Sequence, residues 1–325
     1  MINPSGASIE PQPPRKKEAG SLLAYVRMMR IDHWVKNVFV LPGILIALSL
    51  EPHRINPIDI AIGLLAVCLI SSSNYVINEL LDASSDRFHP AKLQRPAASG
   101  QVNRGLGYLE WIALMAAGLA LSSRISIPFV VVMAAFWLMG CIYNIPPIRT
   151  KDVAYLDVLS EAINNPLRML AGWYMTRAVG VPMASLLISY WMIGCYFMAI
   201  KRYAEYRELS SGHLAQYRKS FAHYSERSLL VSIMFYGTHA MLFFGAFIGR
   251  YRLELILSFP LVALVMAVYL WLAFDKDSGA QHPEALYKEP LLMIPVVICA
   301  ALMVALLFID LPFLHQMLHS TIPGF

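Results

Sequence analysis

The chain has 325 residues, of which 58% are hydrophobic and 14% charged, and its mean hydropathy is +0.55. Soluble domains carry about a quarter charged residues, so the composition excludes a soluble enzyme and implies an all-α, multi-pass membrane helical bundle. The net charge of +5 gives no reason to invoke nucleic acid, because the basic residues lie between apolar stretches, where membrane topology accounts for them.

The first twenty residues are polar, with Pro11, Pro13 and Pro14 ahead of Arg15, Lys16 and Lys17. They lack the apolar stretch of a secretory signal and predict a disordered tail over residues 1–24, followed by one domain over 25–325. A chain without a targeting peptide suits a bacterial plasma membrane. Nine segments are long and apolar enough to span, near 34–51, 57–78, 106–122, 126–143, 155–175, 182–200, 228–248, 253–273 and 290–310. Short connections predict antiparallel neighbours. With the N-terminus inside, twenty Lys and Arg fall at the inner side and five at the outer. That asymmetry places the N-terminus and the acidic clusters in the cytoplasm. Cys68, Cys141, Cys195 and Cys299 each sit in an apolar segment without paired spacing, and read as small core residues.

The first span follows Arg30-Ile-Asp-His-Trp-Val-Lys-Asn37. Trp34 reads as an interfacial anchor. Lys36 and Asn37 open an apolar run and are candidates to face the bundle interior.

The second span ends in the most informative stretch of the chain. Asn74, Asn78, Asp82 and Asp86 recur every four residues, which stacks them on one helix face. Lys92, Arg95 and Pro96 follow closely. Carboxylates facing cations are what a magnesium-bound diphosphate requires: the metal takes oxygen ligands, and Lys and Arg take the remaining phosphate charge. The plainer alternative is a solvated helix end beside a basic loop.

The fifth span begins after Tyr143-Asn-Ile-Pro-Pro-Ile-Arg-Thr-Lys-Asp152, a proline-fixed loop carrying Arg149 and Lys151. Asp157, Glu161, Asn164, Asn165 and Arg168 then share one face of an otherwise apolar helix. Ionisable groups inside a span are expensive and point to a cavity or to one another. A Glu161–Arg168 ion pair is the structural alternative. Pro166 removes a backbone donor and predicts a kink. Farther on, Lys201-Arg-Tyr-Ala-Glu205 opens a long polar segment ending near Arg227, which predicts surface helices over the bundle mouth.

Asn78-Glu79-Leu-Leu-Asp82-Ala-Ser-Ser-Asp86, continued by Arg95-Pro-Ala-Ala-Ser-Gly100, resembles the first aspartate-rich motif of the UbiA superfamily of intramembrane prenyltransferases. Tyr143 to Lys151, with Asp157 and Glu161, sits where that family carries its second polar motif. Within the superfamily, Trp34-Val-Lys-Asn37, His89-Pro-Ala-Lys92, Lys201-Arg-Tyr-Ala-Glu205 and Tyr217-Arg-Lys-Ser220 look closer to the decaprenyl-phosphate phosphoribosyltransferase branch. The Pro146-Pro147 pair and the Glu161, Asn164 and Asn165 face look more like the general prenyltransferases.

The resemblance implies a nine-helix transferase that expels diphosphate with the help of Mg2+ and acts on a polyprenyl lipid. The favoured branch moves phosphoribose from phosphoribosyl diphosphate to a polyprenyl phosphate, and the other moves a prenyl group to an aromatic acid. Asp82 and Asp86 would hold Mg2+, with Asn78 as ligand or support. Lys92, Arg95, Lys151 and Lys36 would hold phosphate oxygens. Asp157 and Glu161 would take a second metal, orient the acceptor, or deprotonate a phenol. Lys201 and Arg202 would hold an acceptor phosphate. Asn37, Asn74, Tyr143, Arg149, Asn164, Asn165, Arg168 and Glu205 complete the expected substrate-binding set. A lipid or ion carrier is the alternative of another class, since intramembrane carboxylates also serve transport.

Overall fold

A computed structural model describes residues 21–50, 56–87, 92–208, 218–275 and 289–318. His89 and Tyr217, quoted above for the resemblance, lie outside the described residues, as does most of the expected N-terminal tail. The helix order is α1 (Leu22–Met28), α2 (Leu41–Leu50), α3 (Pro57–Asp86), α4 (Arg104–Ser122), α5 (Ile127–Asn144), α6 (Leu156–Ala162), α7 (Asn164–Met175), α8 (Ala184–Glu208), α9 (Glu226–Tyr251), α10 (Phe259–Leu272), α11 (Pro290–Phe308) and α12 (Pro312–Leu318). Helix begins at Leu22, inside the stretch expected to be tail, because Ala24 and Met28 are buried one turn apart.

Eight helical stretches are long and apolar enough to cross a membrane, the first running from Leu22 to Leu50 through a 3₁₀ segment at Ile31–Val40. The molecule is an all-α, multi-pass membrane bundle. The expected fifth span is not among the eight. It breaks at Ile163 into α6 and α7, each shorter than a crossing helix. Pro166 accounts for the break, since it has no N–H to offer the carbonyl of Ala162.

Helix α3 is the axis of the site. Asn56 caps it, its side chain accepting from the Ile58 N–H at 3.0 Å, and Pro57 starts it. Thirty residues extend roughly 45 Å, about 15 Å more than a hydrocarbon core. That length allows the last turns, with Asn78, Asp82 and Asp86, to reach beyond an apolar layer of that thickness. At the opposite end of the bundle, Arg177 Nε reaches buried Asp59 Oδ2 at 2.5 Å and ties α7 to α3.

Two close approaches bring the helices together. A Cβ on Gly43 or Gly172 would strike backbone of the facing helix, so α2 and α7 pack through glycines. Gly140 of α5 leaves room for the Asn74 amide, whose Nδ2 donates to the Phe136 carbonyl at 3.1 Å. One core joins α2, α3, α5 and α7 around Phe129, Phe136 and Met169, and another joins α6, α8, α9 and α10 around Tyr203, Phe221 and Leu229.

Candidate active site

Three segments converge on the emergent end of α3. The loop after it folds back so that Arg95 Nη1 meets Asp86 Oδ2 at 2.7 Å and Lys92 Nζ stands 4.0 Å from Asp86 Oδ1. Glu79 anchors this loop by accepting from the Ala97 N–H at 3.1 Å. Burial pulls the Lys92 ammonium pKa below its ordinary value, partly offset by Asp86.

The α5–α6 connection supplies the second set of cations. Lys151 Nζ and Arg149 Nη2 both reach Asp82 Oδ1, at 2.7 and 2.8 Å. Asn144 organises them: its Oδ1 accepts from Lys151 Nζ at 2.9 Å and Asn78 Nδ2 at 2.6 Å, and its carbonyl accepts from Arg149 Nη1 at 3.2 Å. Arg149 sits at φ +31, a conformation that L-residues rarely adopt, and Asp152 holds its Nε at 3.0 Å. Burial moves the Lys151 ammonium down to about 8, against the opposing pull of Asp82.

The third segment is the strap that follows α8. Asp157 is fully buried, and its carboxylate accepts from Tyr224 Oη at 2.7 Å, Arg202 Nε at 3.0 Å and Ser220 Oγ at 3.2 Å. Arg218 Nε stands 3.4 Å away, and its Nη2 donates to Tyr143 Oη at 2.8 Å. Arg202 also binds Glu205 Oε2 at 2.8 Å. Burial and the adjacent Asp157 charge raise the Tyr224 phenol pKa well above its ordinary range, so it stays a donor.

This geometry corrects several expectations. Asp157, expected to face a metal or the acceptor, has both oxygens engaged by the strap and Arg202. Arg202 and Glu205 belong to the same buried knot. Lys201 lies 4.0 Å from Glu205 Oε1, one helical turn on. Asn74 and Asn165 serve helix contact, the latter lying against Gly194 of α8. Arg168 does not pair with Glu161: its Nε donates to Asn37 Oδ1 at 3.1 Å. Glu161 is half-buried and has no hydrogen bond or ion pair among the described residues. Asn164 Oδ1 is buried without a partner among the described residues. Lys36 is half-buried beside buried Asn37.

Sequence reasoning had no site role for Arg218, Ser220 and Tyr224, Asn144, Asp152 or Glu79. Asn144 follows Tyr143 inside the quoted motif, and Glu79 follows Asn78. Arg218 and Ser220 lie within the Tyr217–Ser220 stretch that carries the resemblance, but their contact with Asp157 arises only on folding.

The donor set suits a magnesium ion. Among the described residues, both basic contacts to Asp82 use Oδ1 and leave Oδ2 without an ion-pair partner, and Asp86 Oδ1 meets only Lys92, at 4.0 Å. One or two carboxylates with substrate phosphates completing the sphere is the usual Mg2+ arrangement. Among the described residues no three His, Cys, Asp or Glu cluster as an all-protein metal cage.

Residues 39–288 match the profile of the UbiA prenyltransferase family. The chain belongs to that family. It is 29% identical over 68% of its length, and 69% of the relative's, to decaprenyl-phosphate phosphoribosyltransferase of Mycolicibacterium smegmatis. It is 28% identical over 84% of its length, and 89% of the relative's, to the enzyme of that name from Mycobacterium tuberculosis. Its fold is similar to that of a UbiA homolog from Archaeoglobus fulgidus bound to GPP and Mg2+, with a TM-score of 0.67 at 21% identity over 88% of this chain and 98% of that one. UbiA membership makes the protein an integral-membrane transferase.

Proposed function

We propose that this UbiA-family protein transfers a group from a diphosphate donor in a Mg2+-dependent reaction with a polyprenyl lipid as one substrate. The observation that carries the proposal is the pair Asp82 and Asp86, each held by cations from a different loop, with Asp82 Oδ2 unpartnered among the described residues and Asp86 Oδ1 meeting only Lys92 at 4.0 Å. Mg2+ bound there would neutralise charge developing on the leaving diphosphate. Lys92, Arg95, Arg149 and Lys151 stand preorganised around the same position and stabilise the remaining negative charge, an effect worth several kcal/mol at such sites. The mouth faces the cytoplasm on this reading.

Two donors fit the chemistry. A prenyl diphosphate is supported by the GPP and Mg2+ held by the Archaeoglobus protein of the same fold. Phosphoribosyl diphosphate, with a polyprenyl phosphate as acceptor, is supported by the names of the mycobacterial relatives. It is also supported by the engagement of Asp157, because a phosphate acceptor is already anionic and needs no base. Half-buried Glu161 is the carboxylate left to act on a phenol.

Diphosphate release by the purified protein with Mg2+ tests the proposal. One reaction contains phosphoribosyl diphosphate and a polyprenyl phosphate, the other a prenyl diphosphate and an aromatic acid. Release in either supports diphosphate-expelling transfer and identifies the donor, and release in neither refutes it.

A further inference from the structure

Arg168 is 9% exposed and lies on α7. Its only hydrogen bond among the described residues is the 3.1 Å one to Asn37 Oδ1, and its guanidinium carbon sits 4.8 Å from the centre of the Phe136 ring. Asn37 is oriented by two further neighbours, its Oδ1 accepting from Ser71 Oγ at 3.2 Å and its Nδ2 donating to Cys68 Sγ at 3.3 Å. None of these partners carries negative charge. Among the described residues no carboxylate lies within ion-pair distance of Arg168, and both Nη atoms lack acceptors. An intramembrane cation is normally neutralised by a partner or by what it binds. Its planar fork matches a carboxylate or phosphate.

Ser71 precedes Asp82 by eleven residues on α3, roughly 16 Å of helical rise. Arg168 therefore lies deeper than the diphosphate position but on the same inward face. Side chains and a bound diphosphate occupy part of that separation, and a substrate of sugar or aryl size fills the remainder.

We infer that Arg168, backed by Asn37 and Phe136, is a second anion seat for the oxyanion that a substrate carries at the end remote from the leaving diphosphate. This deepens the proposed transfer reaction and rests on it for the identity of the substrate. The shared chemistry is a planar or tetrahedral oxyanion on a small ring. In one donor reading it is the ribose 5-phosphate group, and in the other the carboxylate of an aromatic acid.

The test is thermal unfolding of the purified full chain in detergent, without Mg2+ and without diphosphate, against ribose 5-phosphate or 4-hydroxybenzoate. One of the two is expected to raise the midpoint of the wild type, and which one identifies the source. The shift should vanish in Arg168→Gln, persist in Asp82→Ala, and be partly restored in Arg168→Lys. In turnover, Arg168→Gln should raise KM for the substrate bearing that oxyanion about tenfold or more, as expected for a lost charge-assisted contact. KM for the other substrate should stay near wild type. A wild type stabilised by neither anion overturns the inference, whether or not the variants fold. A shift that persists in Arg168→Gln overturns it too. Because the binding arm contains no diphosphate, a failed transfer reaction and a failed anion seat give different results.

Discussion

Asp157→Asn separates two roles for the most completely buried carboxylate of the site. The native side chain accepts from Arg202, Ser220 and Tyr224 and faces Arg218. An Asn keeps one acceptor oxygen for Tyr224 but turns an N–H2 toward groups that are themselves donors. Arg202 retains Glu205 at 2.8 Å, whereas among the described residues Arg218 is left with only the neutral Tyr143 oxygen. Removing one member of a buried ion pair costs about 3–5 kcal/mol, and the surviving Glu205 contact places this case near the lower figure, about 3 kcal/mol. The loss should fall on the strap 218–224. Two assays read it: the unfolding midpoint in detergent should drop, and trypsin should cut after Arg218 or Lys219 faster than in the wild type. Turnover should fall as well, while the Mg2+ concentration for half-maximal rate stays unchanged. A double variant with Arg202→Gln should lose less than the two single losses together, since both remove the same contact. Unaltered stability combined with a large rise in the Mg2+ requirement would refute the reasoning and make Asp157 a metal ligand in the working enzyme.

The remaining predictions concern the mouth and the packing beneath it. Asp82→Ala and Asp86→Ala should each reduce diphosphate release at least a hundredfold, in line with the loss of a preorganised charge-stabilising group. The folded protein should remain recoverable, because Lys151 and Arg149 keep Asn144 and Asp152. Retained turnover would exclude the metal assignment. Lys151, held at about 8 in the fold against an ordinary 10.5, is charged below that pH and neutral above it. KM for the diphosphate donor should rise as pH passes upward through about 8, and Lys151→Arg should flatten the rise. The burial cost of the charged ammonium is complete below pH 8 and relieved as pH rises toward 10.5, so this group's contribution to stability moves opposite to its contribution to binding. Gly140→Ala drives a methyl into the Asn74 amide and should cost about 1–3 kcal/mol by overpacking, measured as a lowered unfolding midpoint. Arg177→Gln leaves Asp59 buried without its cation at the far end of the bundle. It should lower stability without altering KM for either substrate.

Much of the site could be read from the chain because its chemistry is local. The four-residue spacing from Asn74 to Asp86 makes one helix face whatever surrounds it, and an apolar run ending in acids must carry those acids to the edge of the membrane. Composition determined the membrane class, and the two motifs determined the family. Partnership was not legible. Spacing placed Asp157, Glu161 and Arg168 together on one face, but it could not say which partners each would meet. Asp157 turns to Arg202 and the strap, and Arg168 turns to Asn37, 131 positions away. Asn74 has the spacing of a ligand and the contacts of a packing residue. A helical repeat specifies which side chains share a face, whereas burial and the identity of the opposing helix decide which charges are neutralised internally. Only the tertiary structure shows that Asp82 keeps Oδ2 and Arg168 its two Nη atoms without partners among the described residues.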